Sequence, residues 1–130
     1  MVMPLRRLGH LSILVVDSYR DAAESLGQML TLVGHRVRVE FDAESAFRAV
    51  AVERPDVVIT ETVLRGPTGY DLADRISVLP GRKPYLIALT SQGGREDRLR
   101  VLAAGFRRFF LKPADPTDLV NFLGNGQAAR

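Results

Sequence analysis

Five times along this 130-residue chain a short apolar run gives way to a helical pattern, and that alternation leaves very few folds open. Leu11-Ser12-Ile13-Leu14-Val15-Val16 reads as a buried strand, and Ala22 to Leu32 follows with Leu26, Met29, Leu30 and Val33 at helical spacing before Gly34 stops it. Val37-Arg38-Val39-Glu40-Phe41 alternates like a half-buried edge strand, and the helix Ala43 to Glu53 is expected to be capped by Asp42 and closed by Pro55. Val57 to Thr60, Tyr85 to Leu89 and Phe109 to Leu111 are the remaining strands. Tyr70 to Val78, Glu96 to Ala104 with Gly105 as its stop, and Thr117 to Leu123 are the remaining helices. Five strand–helix units predict an α/β fold with a parallel sheet covered on both faces through right-handed crossovers.

Composition narrows the field further. A hydrophobic share of 46% with 25% charged residues suits one globular domain with its own core, read here as residues 11–123 between an N-terminal extension, 1–10, and a polar tail, 124–130. No apolar run is long enough to span a bilayer, and the first ten residues lack the apolar core of a secretory signal, so a cytoplasmic protein is expected. The absence of cysteine excludes a disulfide framework, thiolate metal sites and a cysteine nucleophile. The net charge of +3 raises the question of nucleic acid. The arginines are scattered, however, and no helix-turn-helix, zinc-finger or aromatic-basic pattern supports that reading.

In an open parallel sheet, chemistry gathers beyond the carboxyl ends of the strands. Four of the apolar runs end in Asp17-Ser18, Glu61, Thr90-Ser91 and Lys112, so two acids, a hydroxyl and an amine are expected on one rim. Each alone has an ordinary structural role: Asp17 or Thr90 could cap a helix, and a lone Glu or Lys could simply be solvated. Their coincidence is what marks a site. His10 and His35 have no ligand-spaced neighbours and read as surface or turn histidines. Arg65-Gly66-Pro67-Thr68-Gly69 lacks the Gly-Lys-Ser/Thr core of a P-loop and reads as the loop beside Glu61.

Taken in order, Ile13-Leu14-Val15-Val16-Asp17, Pro55 to Glu61 with Gly66 and Gly69 beyond it, Ala88-Leu89-Thr90-Ser91, Ala104-Gly105 and Leu111-Lys112-Pro113 resemble a response-regulator receiver domain of two-component signalling. The resemblance runs from Leu11 to Leu123. It implies the flavodoxin-like sheet order 2-1-3-4-5. In that family an acidic pair after the first strand helps hold magnesium, and an aspartate after the third strand takes a phosphoryl group from a histidine kinase. A hydroxyl after the fourth strand and a lysine after the fifth contact the phosphoryl oxygens. By position, Asp17 is the first acid, Thr90 the hydroxyl and Lys112 the lysine. The Val63 carbonyl would be a backbone metal ligand, and Phe109 stands at the aromatic switch position. The bond from Lys112 to Pro113 is often cis in such relatives.

Two positions depart from the pattern. Ser18 stands where the second acid is expected, and Glu61 where the phosphoacceptor aspartate is expected. Magnesium prefers carboxylate oxygens in near-octahedral geometry, so a site at Asp17, Glu61 and Val63 is expected to be weakened or absent. A lysine about 4 Å from a carboxylate is attracted by about 4 kcal/mol at an effective dielectric of about 20, before desolvation, so an ion pair can fill such a pocket. Glu61 could still be phosphorylated slowly with magnesium, but its extra methylene moves the oxygen from the in-line position. The favoured reading is a non-enzymatic, phosphorylation-independent receiver that acts by protein–protein contact, with no cofactor assured. The alternatives are slow phosphotransfer on Glu61 and a small-molecule-binding flavodoxin-like domain. The expected partner is a histidine kinase or a downstream effector, docked on the fourth helix, fifth strand and fifth helix. There Arg95, Arg98, Arg100, Arg107 and Arg108 form a candidate basic face for an acidic protein. A homodimer is also compatible with the resemblance; a membrane partner is not expected.

Overall fold

The computed structural model describes residues 10–91, 93–112 and 115–124, and it contains the expected sheet. Five parallel strands, β1 (Ser12–Val16), β2 (Arg36–Glu40), β3 (Val57–Glu61), β4 (Tyr85–Thr90) and β5 (Arg108–Leu111), lie in the order β2-β1-β3-β4-β5. The helices are α1 (Arg20–Leu32), α2 (Ala43–Val52), α3 (Gly69–Ser77), α4 (Arg95–Ala103) and α5 (Pro116–Gly124). This is the flavodoxin-like α/β architecture. Boundaries differ from the sequence expectation by a residue or two. The most consequential shift makes Glu61 the last residue of β3 rather than the first beyond it, paired with Leu89 of β4.

Both faces of the sheet are packed, which is why β1, β3 and β4 are almost continuously apolar. On one face Leu14, Val16, Val58, Leu86 and Ala88 meet α2, α3 and α4; on the other Ile13, Val15, Val57, Ile59, Ile87 and Leu89 meet α1 and α5. Burying each such Val, Leu or Ile side chain contributes about 1.5–3 kcal/mol, so the central strands form a stiff platform for whatever their carboxyl ends carry. β2 is the expected half-exposed edge, with Arg36 and Arg38 facing solvent.

Local signals set the helix ends. The Asp42 carboxylate accepts from Ser45 N–H at 2.8 Å and starts α2, and Thr68 and Asp71 form a reciprocal capping box on α3. Gly34, at φ 107°, ends α1 with its N–H on the Thr31 carbonyl, while His35 N–H reaches back to Leu30. α4 is held differently. Only Val101 of this helix is buried, Leu99 and Leu102 are exposed, and the Asp97 carboxylate accepts from Gly94 N–H at 3.2 Å.

His35 departs from the sequence expectation. It is buried, at 5% exposure, because the turn out of α1 folds its ring against the start of β1, where Nδ1 accepts the Leu11 N–H at 3.0 Å. The expected N-terminal extension and polar tail lie outside the described residues apart from His10 and Gly124, as does the Lys112–Pro113 bond. Among the described residues no helix is long and apolar enough to cross a membrane.

Candidate functional site

At the carboxyl rim, β1 delivers Asp17, β3 Glu61, β4 Thr90 and β5 Lys112. The ladders β1–β3, β3–β4 and β4–β5 are in register and set these positions side by side. The Lys112 ammonium donates to both oxygens of Glu61, at 2.8 and 3.0 Å, and lies 3.5 Å from Asp17 Oδ2. Its side chain is 29% exposed, against 12% for Glu61 and 5% for Asp17, so this is a half-buried cluster of two carboxylates around one ammonium.

That stoichiometry explains the electrostatics. Burial pushes the Glu61 carboxyl above its ordinary pKa; Lys112 draws it back down, and Asp17 adds to the rise. Burial also works against the Lys112 ammonium, but its hydrogen bonds and the charges of Glu61 and Asp17 outweigh this and hold its pKa above the ordinary value. The ammonium has two negative neighbours while each carboxylate shares one positive neighbour, so both shifts point upward without contradiction.

The remaining contacts tie the loops to the rim. Asp17 Oδ1 accepts from Tyr19 N–H at 2.9 Å, a local turn rather than a helix cap. Ser18 Oγ accepts from Arg65 N–H at 2.9 Å and so pins the β3–α3 loop to the β1–α1 loop, which places Arg65 to Gly69 beside Glu61 as expected. Thr90 is buried, and its carbonyl accepts the Lys112 N–H at 2.7 Å. Phe109 is half-buried under the Arg98 guanidinium, 5.4 Å from the ring centre. Val63 is 63% exposed at the rim.

Three features were not read from the sequence. Ser18 stands in sequence as a missing acid, whereas in the structure its hydroxyl fastens two loops together. Gly69 is required because a Cβ there would overlap the Glu61 carbonyl, against which the first turn of α3 packs. Thr62, next to Glu61, buries a hydroxyl with no hydrogen-bond partner. Gly69 belongs to the stretch that carries the resemblance and Ser18 stands at its second-acid position, but nothing in the sequence shows that Ser18 fastens a loop or that Thr62 buries its hydroxyl.

A divalent cation does not fit this arrangement. Both Glu61 oxygens and one Asp17 oxygen face the Lys112 ammonium, the other Asp17 oxygen is taken by Tyr19, and Ser18 is engaged with Arg65. With Lys112 between them the two carboxylates leave the cluster one net negative charge, so an ion there would have to displace the ammonium to find the carboxylate oxygens it needs.

The flanking surface is basic and apolar together. Arg98, Arg100, Arg107 and Arg108 lie over Phe109, Tyr70, Tyr85 and the Phe110–Phe122 pair, at 4.0 to 5.4 Å. Among the described residues the ion pairs within 4 Å involve none of these four arginines, nor Arg95. Leu99, Leu102 and Leu111 are exposed among them, at 59%, 61% and 49%.

Comparison with known proteins agrees with this fold. Residues 13–123 match the response regulator receiver domain family. An uncharacterized 14.6 kDa protein of Leptolyngbya boryana is 32% identical over 92% of both chains. The probable transcriptional regulatory protein TcrX of Mycobacterium tuberculosis is 33% identical over 84% of this chain and 46% of its own length, so here the chain spans about half of a longer relative. Among solved structures, a LuxR-family two-component response regulator of Aurantimonas superposes with a TM-score of 0.81 at 26% identity, covering 93% of this chain and 87% of that one. The chemotaxis response regulator CheY4 of Vibrio cholerae shares the fold, with a TM-score of 0.81 at 21% identity over 88% of this chain and 96% of its own. With its sheet order, its rim of Asp17, Glu61, Thr90 and Lys112, and these relatives, the chain belongs to the response regulator receiver domain family.

Proposed function

We propose that this receiver domain signals without phosphorylation, as a cytoplasmic, non-enzymatic module whose output is a protein–protein contact. The observation that carries the reading is the two-pronged Lys112–Glu61 contact, at 2.8 and 3.0 Å, with Asp17 at 3.5 Å. The lysine that resemblance assigns to a phosphoryl group is here bound to the glutamate itself. One carboxylate supplies less charge and fewer oxygens than a phosphoryl group, so it holds Lys112 in place as a partial stand-in. Phosphoryl transfer needs in-line approach and metal neutralisation, and the occupied donor set opposes both.

The partner surface in this reading is the α4–β5–α5 face, where Arg95, Arg98, Arg100, Arg107 and Arg108 surround exposed leucines. Aromatic rings hold four of these guanidiniums, which make no ion pair among the described residues, so they present fixed charge to an acidic segment with apolar side chains. Such a face suits a kinase or downstream effector of that chemistry.

Intact-protein mass spectrometry after incubation with magnesium and a small phosphodonor tests the first part. Wild type is expected to gain no phosphoryl group. An adduct on wild type that disappears in Glu61→Gln would establish slow phosphotransfer on Glu61 and overturn the proposal. Glu61→Asp, run in parallel, reports whether the rest of the pocket supports transfer.

A further inference from the structure

We propose that His35 is a proton-sensitive fastener at the amino end of the sheet, tying the start of β1 to the turn between α1 and β2, so that mild acid loosens this joint and leaves the rim site closed. The proposal does not depend on the reading of the rim.

The ring fills a gap in the backbone hydrogen bonding. Leu11 lies just ahead of β1; its carbonyl accepts Arg36 N–H at 2.9 Å, and its own N–H donates to His35 Nδ1 at 3.0 Å. The His35 main chain meanwhile donates to Leu30, so one residue closes the end of α1, opens β2 and holds β1. Leu11 is 4% exposed and His35 5%, so water is poorly placed to replace the bond. Because Nδ1 accepts, the ring is neutral with its proton on Nε2. A second proton would have to go to Nδ1. It would turn that acceptor into a donor facing the Leu11 N–H, and would leave one buried charge and one orphaned amide.

Among the described residues that line the pocket beside the ring, the acid, Asp56, is already engaged. The charged and titratable groups among those lining residues are His10 ahead of β1, Arg36 of β2 and Asp56 ahead of β3; Thr31, in the last turn of α1, and Gly34, in the turn after it, carry no charge. Arg36 lies 4.0 Å from Glu53. Asp56 is occupied, with Oδ2 accepting Ser12 N–H at 2.8 Å and Oδ1 3.5 Å from Arg82. Burial, aided by His10, lowers the His35 pKa from its ordinary value of 6.5. The sign follows: the folded state binds this proton less readily than the unfolded chain. The contribution of His35 is therefore fully present above about pH 6.5, and it is lost as pH falls toward the depressed folded value.

The test is a titration of the full chain from about pH 8 to pH 5, with histidine ring signals followed by NMR and amide protection by hydrogen exchange. His35 is expected to titrate below the ordinary histidine value. The Leu11 amide should lose protection progressively across the range, while Thr90 and Lys112 amides keep theirs. His35→Asn offers an acceptor that does not titrate, and its Leu11 protection should stay flat. An ordinary or raised His35 pKa, an unchanged Leu11 protection factor in wild type, or an equal fall in His35→Asn would each overturn the proposal. Should the variant fail to fold, the wild-type titration decides alone.

Discussion

Replacing Lys112 with methionine keeps much of the stem and removes the one positive charge between Glu61 and Asp17. At an effective dielectric of about 20 the attractions lost are about 6 kcal/mol at the 2.8 Å contact and about 5 kcal/mol at the 3.5 Å contact. Those figures are gross, since folding also took all three charges out of water. Removing one partner from a buried pair commonly costs about 3–5 kcal/mol because the other stays buried and uncompensated. Here Lys112 retains 29% of its exposure, so water screens part of the loss, and the net cost expected at neutral pH is about 2–3 kcal/mol. For a chain of this size that lowers Tm by roughly 10 °C. Urea unfolding of wild type and Lys112→Met at about pH 7.5 and about pH 4.5 measures it. The penalty should shrink at the lower pH, because protonating a carboxylate removes the repulsion that Lys112 no longer offsets. A cost under about 0.5 kcal/mol at neutral pH, or the same cost at both pH values, would refute the reasoning.

Three further outcomes are expected. The raised pKa of Glu61 means its favourable contribution is present at low pH and is lost as pH rises through that value, so wild type should gain on Glu61→Gln as pH is lowered from 7 toward 4, read as the difference between two denaturation series. Thr62→Val removes a buried hydroxyl that has no partner and should be neutral or stabilising by about 1 kcal/mol in the same assay; a loss of that size would show that the hydroxyl is hydrogen-bonded in solution. Asp42→Ala should cost about 1 kcal/mol through the lost cap on α2, whereas Asp42→Ser should recover most of it.

The fold was legible because each level of the sequence agrees with the next. Apolar runs of strand length alternate with helical spacing, and Gly34, Asp42 and Gly105 stand where ends are needed. The rim was legible for a related reason: strand ends in a parallel sheet converge, so Asp17, Glu61, Thr90 and Lys112 could be assembled without coordinates. What could not be read were contacts decided by tertiary approach. Ser18 and Arg65 are far apart in the chain, and only the relative placement of two loops makes them partners. The same holds for His35, whose burial depends on the angle at which α1 turns back, a quantity its flanking residues do not encode. Gly69 lies between these cases: the glycine was in view, but not the carbonyl that demands it.

The shallow seating of α4 separates two selective pressures. Since Val101 is the buried residue of this helix, its exposed positions can change at little cost to folding, and a new partner can be acquired by surface substitution alone. The rim offers no such latitude, because Asp17, Glu61 and Lys112 hold one another. Divergence among relatives of this chain should therefore concentrate on whom they address rather than on how they are built.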